Sequence, residues 1–163
     1  MAREYAPIRL DIWGDDDWTD LLSPAAQHLY FVLLTSPALS YAGVGDWRPG
    51  RIAQSARGWS GRAVRAAAAE LIEHLFIVVD EDTEEYLVRS FLKHDGLLKN
   101  PKTSVSFANA YADVASRTIR GVIVHQLARI RGNQPELKGW GVDRVAEILT
   151  RKTVDPASIP MPQ

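Results

Sequence analysis

The stretch IAQSARGWSGRAVRAAAAELIEHLFIVV, residues 52–79, decides how this chain is read. Gly58 is placed to close one short helical segment and Ser60 to cap another only two residues later, a tight break between two helices. In the second segment Val64, Ala68, Leu71, Ile72 and Leu75 share one face, while Trp59, just before the cap, is positioned to staple onto Val64. Gly61, Arg62, Arg65, Ala66 and Ala69 are left mainly on the opposite side. Small residues interleaved with two arginines let a helix backbone approach a groove wall while the guanidinium groups reach for acceptors.

Immediately downstream, residues 76–79 and 86–91 are apolar or alternating runs joined by a polar turn over 80–85, the pattern of a hairpin. Upstream, Ser23 followed by Pro24 starts a helix in which Ala26, Leu29, Tyr30, Leu33 and Leu34 form a buried stripe, and Pro37 stops it. Residues 41–47 read as a short strand, and Pro49 opens a helix over 50–57. Residues 5–13 alternate as a short strand or extended arm. The run Asp15, Asp16, Asp17 suits a helix start better than a metal site, because consecutive helical side chains point apart.

The resulting expectation is a mainly α fold with a small β-hairpin wing: a winged helix-turn-helix over residues 1–91 followed by a helical extension. Residues 92–102, LKHDGLLKNPK, read as a basic linker. The extension covers 103–151, with a helix over 103–115 and a second capped by Ser116. The second carries an apolar stripe of Ile119, Val122, Ile123, Leu127 and Ile130, and a symmetric homodimer through the C-terminal helices is a further expectation. A short helix is expected over 142–151, and residues 152–163, with Pro156, Pro160 and Pro162, read as a disordered tail.

Composition narrows the classes. With 163 residues, 46% of them hydrophobic, the chain can bury a substantial core. It has no cysteine, so disulfides and thiolate zinc sites are excluded and a reducing compartment is expected. No apolar run of about eighteen residues occurs, so no membrane span is expected and the cytoplasm is the expected location. Net charge is −1, but residues 1–91 hold 8 Lys and Arg against 14 Asp and Glu, and residues 92–163 hold 11 against 6. That split, −6 and +5, gives the second half the capacity to meet phosphate while the first half must present its arginines locally. A fragment ending near Phe91 is expected to fold and to bind DNA more weakly than the full chain.

Arg62 and Arg65 are the candidates for base-edge contacts, Ser60 and Trp59 stand at the start of their helix, and Arg51 and Arg57 flank it on the backbone side. Lys93, Lys99 and Lys102 would continue a phosphate track, joined by Arg117, Arg120, Arg129 and Arg131. For any one of these arginines plain solvation is an equally good reading; for the cluster it is less so. The acidic residues Asp80, Glu81, Asp82, Glu84 and Glu85 oppose contact between the hairpin tip and phosphate, so the hairpin is expected to stand off the DNA or face a protein. His28, His74, His94 and His125 lack ligand spacing, and no phosphate loop or activated nucleophile is visible, so neither metal, cofactor nor catalysis is expected.

The runs QHLYFVLLTSPALSYAGVGDWRPGRIAQSARGWSGRAVRAAAAEL, FIVVDEDTEEYLVRSFLKHDGLLKNP and ASRTIRGVIVHQL resemble helix-turn-helix DNA-binding proteins of phages of actinobacteria, over about residues 8–140. The domain order is similar to the N-terminal part of phage replisome organisers and DnaD-like replication initiators. The resemblance implies binding of duplex DNA in replication initiation, with host or phage replication proteins as partners. A phage transcriptional regulator using the same helix, and a winged-helix protein-interaction module contacting through its acidic wing, are the alternatives.

Overall fold

In the computed structural model, which describes residues 3–161, the Ser23 hydroxyl accepts from the Ala26 N–H, 3.3 Å away, and opens the first long helix. The chain runs α1 (Asp16–Leu21), α2 (Pro24–Leu34), β1 (Val44–Asp46), α3 (Pro49–Ile52), α4 (Gly61–Glu73), β2 (Ile77–Asp80) and β3 (Glu85–Val88). Then follow α5 (Phe91–Asp95), α6 (Pro101–Ala112), α7 (Arg117–Asn133) and α8 (Asp143–Ile148). The fold is mainly helical with one three-stranded antiparallel sheet in the order β1-β3-β2. Val44, Gly45 and Asp46 pair with Leu87, Tyr86 and Glu85 on one side of β3, and β2 forms the hairpin on the other.

The apolar stripe of α2 is buried as its period requires, and it is covered by α1, α4 and the hairpin. Trp18 of α1 is wholly buried, its ring edge-on to Tyr30 and Phe76 at 5.2 and 5.9 Å between centroids. Glu70 of α4 accepts from the Ser23 backbone N–H at 3.1 Å and from its hydroxyl at 2.6 Å, so the C-terminal half of α4 is pinned to the start of α2. Tyr86 donates to the Leu33 carbonyl at 2.9 Å and ties β3 to the same helix.

Four expectations are corrected. Of the two readings of residues 5–13 the strand is not formed; an arm without strand pairing leads into a 3-10 turn, Leu10–Gly14. Residues 92–102 are not a linker: Phe91, Leu92, Leu97 and Leu98 are all buried, and a helix, a left-handed Gly96 and a 3-10 turn fold them into a corner. The helix expected from 103 begins at Pro101 with Asn100 as its cap. The segment from 152 is packed rather than loose: Val154 donates its N–H to the Gly121 carbonyl at 2.9 Å, and a Cβ on Gly121 would lie 2.4 Å from the Val154 side chain. Pro156 behind it is buried, while Pro162 and Gln163, like Met1 and Ala2, lie outside the described residues.

One continuous hydrophobic cluster therefore runs from Trp18 to Ile148 and joins what the sequence divides at Phe91. The α7 stripe, Ile119, Val122, Ile123, Leu127 and Ile130, is buried within this shared core. A fragment ending at Phe91 would strip α7 from β2 and expose this shared core, so it is no longer expected to fold. Among the described residues no helix is long and apolar enough to cross a membrane.

Candidate nucleic-acid interface

The α4 helix owes its start to Ser60, whose hydroxyl accepts from the Ala63 N–H at 3.1 Å, after a left-handed turn at Gly58. The close approach of the two helix starts favours glycine at Gly61, where a Cβ would come within 3.3 Å of the Gly50 backbone nitrogen. Val64, Ala67, Ala68 and Leu71 face the core, and Arg62, Ala63, Arg65, Ala66 and Ala69 are exposed. Ile72 is only half-buried, so the inward face is centred one position earlier than the spacing suggested.

Arg51 on α3, Arg57 in the connecting turn and Arg62 on α4 are exposed and make no hydrogen bond or ion pair among the described residues. Arg65 is different. Its Nη1 donates to the Glu81 carboxylate at 2.6 Å, and the same oxygen accepts from the indole N–H of buried Trp47 at 3.1 Å. Beside it Arg48 stands 3.8 Å from Glu84. Arg48, adjacent to Pro49 at the start of α3, belongs with this group although sequence reasoning passed over it. Its position immediately before a helix-opening proline was the available signal.

Trp59 is not a surface contact: it is half-buried, with its ring 5.0 Å from that of His28 on α2. The three lysines are also elsewhere. β3 leads away from the hairpin turn into α5, so Lys93 sits beyond the opposite end of the sheet, while Lys99 and Lys102 follow in the next turn and in α6. All three are exposed, and among the described residues none shares a hydrogen bond or ion pair with α4. Arg89, at that far end of β3, is half-buried and donates to the Leu75 carbonyl at 2.6 Å; burial pushes its pKa down, and the charge of Arg129 adds to this.

The acidic hairpin has an internal use. Asp80 Oδ1 accepts from the Asp82 and Thr83 N–H groups and closes the turn, while its Oδ2 accepts from the Ser116 hydroxyl at 2.6 Å. Glu85 accepts from the backbone N–H groups of Ala115 and Ser116 at 3.1 and 2.7 Å. The hairpin carboxylates thus satisfy free donors at the start of α7, where the helix dipole favours negative charge. Asp80, Glu81 and Glu85 are accounted for by the chain itself and Glu84 faces Arg48, which leaves Asp82 as the one hairpin carboxylate with no side-chain partner among the described residues.

No group of three His, Cys, Asp or Glu residues gathers to hold a metal ion among the described residues. No protein-family model, curated protein or solved structure matches this chain.

Proposed function

We propose that this chain is a winged helix-turn-helix protein that binds duplex DNA, with α4 as the helix that enters the major groove and the β2–β3 hairpin as its wing. One observation carries the reading: the outward face of α4 consists of Arg62 and Arg65 among Ala63, Ala66 and Ala69. An exposed helical face lined with methyl groups has nothing to obstruct close approach to a groove, and arginine is the side chain that reads guanine through two parallel hydrogen bonds. Arg48 and Arg51 stand at the start of α3, which touches α4 through Gly50 and Gly61, and under this reading they would meet the backbone phosphates flanking the groove.

The acidity of the hairpin tells less against DNA than its composition implies, because its carboxylates cap α7 and hold Arg65. For the same reason the tip offers little free charge to a protein partner, so the interaction-module reading loses its main support. Action at replication initiation in the cytoplasm of a bacterial host rests on the resemblance to phage replisome organisers; a transcriptional regulator would use the same α4 face.

The test is enrichment of a random duplex pool on the full chain at moderate salt. A recurrent motif supports sequence-specific binding, and a pool that stays random after repeated rounds contradicts it. Co-purification from infected cells then separates the two roles: a helicase or its loader supports replication, RNA polymerase supports regulation.

A further inference from the structure

We propose that the groove between α6, α7 and α8 is a phosphate-binding site built from Arg120, Arg144 and Arg151. The groove encloses about 260 Å³ and has Tyr111 and Ile148 in its lining. Three guanidinium groups, one from α7, one from α8 and one just beyond α8, meet there with a single carboxylate, Glu147. Glu147 is already taken, since Arg151 donates to it at 2.9 Å. Arg144 donates to the Asn109 side-chain oxygen on α6, a neutral acceptor that leaves its charge uncompensated.

Arg120 is the most constrained of the three. Its guanidinium carbon lies 5.3 Å from the centre of the Tyr111 ring, and Nη2 donates to the Ala112 carbonyl at 3.3 Å. Its Nε is buried with no hydrogen-bond partner. A positively charged group stacked on an aromatic, held by one carbonyl and still short of an acceptor, is an incomplete site. Like charges gathered from separate elements repel unless an anion joins them. Donors arriving from different directions suit a tetrahedral phosphate better than one planar carboxylate, which accepts along two edges.

The position gives this site a use. Arg120 follows one turn after Ser116, which Asp80 and Glu85 hold to the hairpin, and the same turn carries Glu81 against Arg65. One hairpin turn therefore contacts both the start of α7 and the α4 face. For a duplex seated on α4, the proposed phosphate track runs past this turn to Arg120, Arg144 and Arg151 rather than to Lys93, Lys99 and Lys102. As a backbone site it rests on the DNA-binding reading; as an anion site, open equally to a free phosphate compound, it does not.

The experiment compares the full chain with Arg144→Gln/Arg151→Gln, which spares Arg120 and its packing, and with Lys93→Gln/Lys99→Gln, which removes the same charge elsewhere. Inorganic phosphate is titrated calorimetrically, random-sequence duplex is titrated across salt concentrations, and circular dichroism checks the fold. The arginine variant should bind phosphate at least tenfold more weakly, and its slope of log affinity against log salt should fall by about 1.8, two contacts at about 0.9 each. The lysine variant should match wild type in both. Loss of phosphate binding with an unchanged duplex slope would assign the site to a free phosphate compound. The same loss in a wild-type background that binds no duplex would keep the site and refute the DNA reading. If the arginine and lysine variants behave alike in both titrations, the proposal is overturned.

Discussion

Replacing Glu81 with glutamine should strengthen DNA binding, and the gain should pass through Arg65. In the free protein Arg65 donates to Glu81 at 2.6 Å, so binding must exchange this acceptor for a base edge or phosphate. The two side chains are 55% and 48% exposed, which places the pair among surface ion pairs worth about 0.2–1 kcal/mol. Releasing Arg65 should therefore raise affinity by a factor of roughly 1.4 to 5. Glutamine keeps an oxygen for the Trp47 indole N–H, so the thermal midpoint should hardly move. Removing a negative charge from the tip would also favour DNA without Arg65, and a double-mutant cycle separates the two effects. Affinities of wild type, Glu81→Gln, Arg65→Ala and the double variant, measured by fluorescence anisotropy at one salt concentration, should show a coupling of about 0.2–1 kcal/mol. Zero coupling, with Glu81→Gln equally effective in the Arg65→Ala background, would refute the reasoning.

Three further outcomes are expected. Leu71→Ala should cost roughly 2–5 kcal/mol in denaturant unfolding, and Ile72→Ala clearly less, because Leu71 is wholly buried and Ile72 only half-buried. Ser116→Ala should cost about 1–3 kcal/mol by the same assay, since this buried hydroxyl caps α7 and its loss strands Asp80. Burial pushes the Tyr86 phenol from an ordinary 10 up to about 12. Its contribution is complete below pH 10, where both states hold the proton, and is lost as pH rises from 10 through 12, because the unfolded chain ionises first; a Tyr86→Phe chain should show a shallower alkaline decline.

What the sequence made legible was local. Caps at Ser23, Ser60 and Ser116 and the stripes that follow them depend on neighbours within one or two turns, and the outward face of α4 is the complement of such a stripe. What stayed hidden depends on distant partners. LKHDGLLK looks polar and interrupted, yet Leu92, Leu97 and Leu98 are drawn inward by a core completed only when α6 and α7 pack on it. The proline-rich end looks unstructured, but Val154 fills the space left by Gly121, thirty-three residues away in sequence. Counting charges on the hairpin made it repellent to DNA; the sequence carries no sign that Glu85 caps a helix thirty residues later or that Glu81 holds Arg65. The exposure of Arg62 and Arg65 on α4 was thus readable, whereas the half-burial of Trp59 and the placement of the three lysines beyond the far end of the sheet were not.

The central claim, that the outward face of α4 reads duplex DNA, is tested most directly by the affinity of Arg62→Ala/Arg65→Ala for a duplex enriched by the wild-type chain, set against a scrambled duplex. Both side chains are exposed, so circular dichroism should be unchanged. Each good bidentate contact contributes about 1–3 kcal/mol of discrimination, so the double variant should bind the enriched and scrambled duplexes almost equally. A variant that retains the wild-type preference would contradict the assignment of α4 as the reading helix.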